Sequence, residues 1–122
     1  YGLSNELLDE PWDKVERSKS GVHALLETDT FNETTMLRLL NDPAPGPIEE
    51  AQSGPLDFEA MRAITAPFII TPQYGTRCST IVLVDDAGRW HITERRFDAT
   101  GLAVGDSRYT FVAAPPSDQD VE

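Results

Sequence analysis

The run Ile81-Val82-Leu83-Val84 constrains this chain more than any other stretch. Successive side chains of a strand point to opposite faces, so a strand with one wet face alternates apolar and polar residues. Four consecutive branched apolar residues imply burial on both faces instead. Helices can cover one side; the other needs a further layer, and a second sheet from elsewhere would complete the packing. Just ahead of this strand, Tyr74-Gly75-Thr76-Arg77-Cys78-Ser79-Thr80 places a glycine, an arginine and the single cysteine at its entrance.

Helices for the first side are written in the first third of the chain. Pro11 to Arg17 opens one, because proline suits a first turn and Trp12, Val15, Val22 and Leu26 fall on one face. Asp9 is its expected cap, Trp12 is expected in the core, and Gly21 weakens its middle. Thr30 and Glu33 fit a capping box ahead of a second helix with the stripe Met36, Leu39 and Leu40, so helix is expected over about 10–41. Prolines 43, 45, 47 and 55 make 42–55 a loop, and Leu56 to Thr65 suits one or two helical turns before Pro67.

From Phe68 the pattern turns to strand: Phe68 to Thr71, Thr76 to Val84, a turn at Asp85 to Gly88, Arg89 to Phe97, and Ser107 to Val112. The expected class is α+β, one domain over 1–113 with an antiparallel sheet spanning about 68–112, followed by an acidic tail at 114–122. With 21 acidic and 10 basic side chains the formal charge is −11, which disfavours nucleic acid and anionic membranes as partners. One cysteine gives no internal disulfide, no apolar run reaches the ~20 residues of a membrane span, and no leader is visible. A soluble cytoplasmic chain without membrane insertion is the expectation.

The motifs for phosphate loops, nucleophile elbows and zinc helices (G-x-x-x-x-G-K, G-x-S-x-G, H-E-x-x-H) do not occur. His23 and His91 lack nearby Cys or His partners, so no metal and no cofactor is expected. Asn32-Glu33-Thr34 matches a glycosylation sequon by chance at a helix start. Cys78 beside Arg77 has two readings: a thiol activated by the guanidinium, or a packed structural cysteine, the expected one. Arg77 must hold its charge at the strand rim, facing a ligand or a carboxylate such as Asp85 or Glu94. Gly75 fits a turn or a close backbone approach, and Tyr74 a rim aromatic; Tyr74, Gly75, Thr76, Arg77 and Cys78 form the candidate binding rim.

Two separated motifs carry a family resemblance. Gly-Leu-Ser-Asn at 2–5, a leucine pair at 7–8 and Pro-Trp-x-Lys at 11–14 come first; Tyr-Gly-Thr-Arg at 74–77, a small polar pair, the apolar strand, Asp-x-x-Gly at 85–88 and Glu-Arg at 94–95 follow. Over roughly residues 1–97 this resembles the C-terminal part of the NRDE family, also called the transport and Golgi organisation protein 2 family. The resemblance implies an N-terminal-nucleophile-hydrolase-like αββα sandwich, of which this chain is the C-terminal half. The family's amino-terminal cysteine and its Asn-Arg-Asp-Glu motif are absent here, so an amidohydrolase nucleophile, with its own α-amine as base, would lie upstream.

Asn5 then matches the asparagine that supports an oxyanion hole in related amidases, although Ser4 and Asn5 also suit a strand end or a helix entry. Members are also associated with haem or lipid handling, which implies a hydrophobic small-molecule carrier instead. Expected partners are the missing N-terminal half or a second copy of the chain, since an uncovered apolar sheet promotes self-association.

Overall fold

The computed structural model describes residues 1–5, 7–48 and 57–114, so the acidic tail beyond residue 114 and the second half of the proline loop lie outside the described residues. Among the described residues three helices precede three strands: α1 (Asp13–Glu27), α2 (Glu33–Leu40), α3 (Phe58–Ile64), β1 (Cys78–Val84), β2 (Arg89–Phe97) and β3 (Ala103–Val112). The strands form one antiparallel sheet in the order β1-β2-β3, the α+β arrangement expected. The last strand begins at Ala103 rather than Ser107, and Phe68–Thr71 contributes a single bridge, Ile70 to Gly75, instead of a strand.

Each turn has a local cause. Gly88 at φ +75° and Gly101 at φ +84° supply the left-handed backbone of the two hairpins. Asp85 accepts from the backbone of Ala87 and Arg89, and Asp98 accepts from the backbone of Thr100 and Leu102. A bulge between Arg96 and Phe97 shifts the β2–β3 register, leaving Arg96 opposite Gly105 and Phe97 opposite Ala103.

Two helix starts differ from the sequence expectation. In α2 the cap is Asn32, whose side chain accepts from Thr35 N–H while the Thr35 hydroxyl accepts from Asn32 N–H. The sequon asparagine is therefore a helix cap, and Glu33 is released for another task. Nor does Asp9 cap α1: the N-cap is Trp12, without a side-chain bond, and Asp9 accepts from Gly2 N–H at 2.5 Å and pairs with Lys19 at 3.0 Å. Trp12 is exposed rather than packed in the core, and of the expected α1 stripe only Val15 is buried.

The core is small: Val15, Leu37, Ala66, Phe68, Ile81 and Phe97, with Phe68 and Phe97 edge to face at 4.7 Å. Leu37, absent from the expected α2 stripe, is its buried residue. Gly21 is where α2 approaches α1, since a Cβ there would sit 2.3 Å from Leu39. The propensity cost of a mid-helix glycine is offset by this contact.

A polar tether fastens α2 to the far strands. Glu33 accepts from Thr93, 3% exposed, and from Arg108 at 2.8 Å; Arg108 also meets Asp106, which holds Arg95 through a bidentate pair at 2.9 and 3.0 Å. Arg108 first, then Thr93, pulls the Glu33 carboxyl below its ordinary range. Phe68→Ala is expected to cost about 3–5 kcal/mol in urea unfolding, as for other buried phenylalanines. Because Glu33 is depressed when folded, its contribution is complete near neutrality and is lost as pH falls below about 4.3. Glu33→Gln should flatten that acid limb of stability against pH while leaving the slope above pH 6 unchanged.

Candidate functional site

Hydrogen bonds around residues 69–76 build the rim. The Thr71 hydroxyl donates to Tyr74 C=O at 2.5 Å and accepts from Tyr74 N–H at 3.0 Å. Ile69 and Thr76 close the other end, Thr76 N–H donating to Ile69 C=O at 2.9 Å and Ile69 N–H donating to the Thr76 hydroxyl at 3.0 Å. Gly75 lies between, where a Cβ would be 2.6 Å from Ile69 C=O. This is the close backbone approach anticipated for that glycine. The turn leaves the Tyr74 side chain 63% exposed.

Asn5 reaches the same place from the other end of the chain. Gly2 and Asp9 are joined by one backbone bond, Asp9 N–H donating to Gly2 C=O at 2.6 Å, and by the Asp9 carboxylate, which accepts from Gly2 N–H. Asn5 and Tyr74 both line two adjoining grooves of about 870 Å³ each. One runs along α1 over Val15, Val22 and Leu26. The other lies between Trp12, Met61, Ile64 and Ile69. Lys14 lines both, its ammonium 5.6 Å from the Trp12 ring centroid and donating to Ile64 C=O at 3.3 Å. Lys14 and Thr71 were not candidates from the sequence, because their roles depend on the turn and on α3.

Arg77 and Cys78 do not join Asn5 and Tyr74 at the grooves. Arg77 is exposed, and among the described residues no carboxylate lies within ion-pair distance of it: Asp85 meets His91 at 3.3 Å, and Glu94 lies 4.0 Å from Arg96. Cys78 is exposed, contrary to the packed cysteine expected, because β1 alternates and puts Ser79 and Ile81 inward. Its register partner is Arg96, whereas His91 stands opposite Leu83, so no cysteine–histidine pair forms.

The same alternation explains the apolar run. Ser79 and Ile81 face the helices, while Val82 and Val84 remain 48% and 52% exposed on the outer face. Register places Ile92 and Tyr109 beside Val82, and Trp90 and Phe111 beside Val84. Trp90 and Phe111 stack at 6.1 Å with planes 9° apart. At the other end, the same face carries Cys78, Thr80, Glu94, Arg96, Gly105 and Ser107. Among the described residues no cluster suited to hold a metal ion occurs, and no helix is long and apolar enough to cross a membrane.

An antiparallel meander with helices over one face and an opposite face that is apolar at one end defines an α+β chain. The profile of the family Transport and Golgi organisation 2 matches residues 1–99, and the chain belongs to that family. It is 36% identical over 108 residues to the Transport and Golgi organization protein 2 homologs of Bos taurus and Homo sapiens, covering 78% of this chain and 37% of each relative. The Transport and Golgi organization 2 homolog of Mus musculus is 33% identical over 103 residues, with the same shares covered. The chain thus spans 37% of the length of the curated relatives it matches.

Two outcomes follow for the rim. Gly75→Ala should destabilise by about 1–3 kcal/mol in chemical denaturation, as an overpacked site does. Cys78 should react with a disulfide reagent in the native chain without denaturant; a thiol that reacts only after unfolding would contradict its exposure.

Proposed function

We propose that this chain is the C-terminal part of an N-terminal-nucleophile-hydrolase-like αββα sandwich, a C–N bond hydrolase whose cysteine nucleophile lies in another part of the polypeptide. The observation that carries the reading is the outer face of β1–β3, whose end toward the β1–β2 hairpin is apolar and partly exposed, as on a sheet that packs on a second sheet. The convergence of Asn5 and Tyr74 at shared grooves supports a site near the first turn of the chain. There the Asn5 amide would donate to a developing oxyanion, with Tyr74 at the rim. Arg77 and Cys78, on the neighbouring strand entrance, serve binding rather than nucleophilic attack.

The 122-residue chain alone is then catalytically silent and cytoplasmic in setting. In the longer polypeptide, replacing the upstream cysteine by alanine should abolish amide hydrolysis, and Asn5→Ala should lower kcat by about 10²–10³, as for loss of one oxyanion donor. Undiminished amide hydrolysis in the cysteine-to-alanine protein would overturn the reading.

A second reading is a carrier without catalysis. It is favoured by the groove over Met61, Ile64 and Ile69, whose volume suits a small apolar molecule. Saturable heat on titrating haem or an acyl-CoA, unchanged by loss of the upstream cysteine, would support it. A second copy of the chain is the alternative cover for the open face.

A further inference from the structure

The open face of the sheet is divided by polarity along the strands. Toward the β1–β2 hairpin it is apolar, with Val82, Val84, Trp90, Ile92, Tyr109 and Phe111. Toward the bulge no position carries a large apolar side chain: Cys78 opposite Arg96 opposite Gly105, and Thr80 opposite Glu94 opposite Ser107. A layer seated on the first group gains apolar burial. Over the second it would take from water a guanidinium and a carboxylate whose mutual ion pair, Arg96 to Glu94, is a loose 4.0 Å contact, which is costly without closer partners.

Arg96 is also held in a particular way. Its guanidinium lies over Gly105, where a Cβ would come within 2.8 Å of Nη2. Its Nη1 donates to the Ser107 hydroxyl at 2.7 Å, the one hydrogen bond of this side chain among the described residues, and Glu94 stands 4.0 Å away. The glycine gives the guanidinium its place, and beyond Ser107 and the loose Glu94 pair most of its five N–H donors have no partner among the described residues.

We propose that the covering layer, supplied by the remainder of a polypeptide of the relatives' length, seats only on the apolar end. The polar end then lines an open cleft that receives an oxyanion-bearing ligand at Arg96, beside Cys78 and Ser107. This rests on the sandwich reading above. The relatives' length supports the occupant, because this chain spans 37% of it.

Cysteine accessibility tests both parts. In the longer polypeptide and in the dilute 122-residue chain, iodoacetamide labelling is read peptide by peptide at Cys78, and at residue 82 or 109 in Val82→Cys and Tyr109→Cys variants made with Cys78→Ser. The expected result is labelling of all three positions in the short chain, and many-fold protection of positions 82 and 109 but not of Cys78 in the long one. Protection of all three in the long polypeptide would overturn the cleft while keeping the sandwich. Labelling of all three in both would overturn the sandwich and the cleft with it.

The ligand class is read from the same reaction. Sodium phosphate or acetate, against chloride at equal ionic strength, should slow labelling of Cys78 several-fold in the long polypeptide, and Arg96→Gln should remove the effect. Slowing by both anions supports an oxyanion site in general, and slowing by one alone assigns phosphate or carboxylate. Equal rates in all three salts, or slowing that persists in Arg96→Gln, would overturn the anion site.

Discussion

Backbone pairing decides which side chains of β1 share a face, and that decision leaves half of an apolar strand uncovered. Once Ser79 and Ile81 turn toward α2, Val82 and Val84 must turn away. Cross-strand register then gathers the apolar residues of β2 and β3 beside them. Full burial of one valine or phenylalanine side chain contributes roughly 1.5–3 kcal/mol, so covering such a group outweighs most single polar contacts in this fold. Every structural role assigned to the outer face follows from that imbalance.

The inner face is organised differently. Its contacts with the helices are few, and apolar packing is confined to the Phe68–Phe97 pair and the side chains around Ile81. Where α2 passes over the sheet, Glu33 joins Thr93 and Arg108, and Asp106 extends the chain of charges to Arg95. Exposed ion pairs are individually weak, but Thr93 is buried, and a network that shares its carboxylates limits how α2 can slide. Apolar burial and ionic geometry thus do separate jobs: one supplies affinity between layers and the other fixes register within this chain.

Much of this was legible in residues with short-range causes. The boundaries of β2, the Asp85–Gly88 turn and the close approach at Gly75 follow from strand propensity, a left-handed glycine and a missing Cβ. The Ile81–Val84 run led to an expectation of burial on both faces, whereas Val82 and Val84 are about half exposed on the outer face of this chain. What was misread depended on competition between neighbours: Asn32 wins the α2 cap from Thr30, and Asp9 is drawn to Gly2 and Lys19 instead of α1. Cys78 was expected inside because cysteine is often buried, yet a one-residue phase of the strand placed it outside. The Glu33 tether joins positions 75 apart in sequence, and no local pattern announces such a pair. Of the candidate site, Asn5 and Tyr74 converge, whereas Arg77 and Cys78 stand on the sheet entrance away from the grooves.

Burial of the outer face of β1–β3 in a polypeptide of the relatives' length is the central proposal. Trp90 lies in the apolar half of that face, stacked on Phe111, and reports its surroundings by its emission. The direct measurement is Trp90 fluorescence, with any other tryptophans replaced by phenylalanine, in the dilute 122-residue chain and in the polypeptide of family length. Burial of the outer face predicts a clear blue shift and loss of quenching by iodide in the longer polypeptide. Identical emission and equal iodide quenching in the two would contradict it.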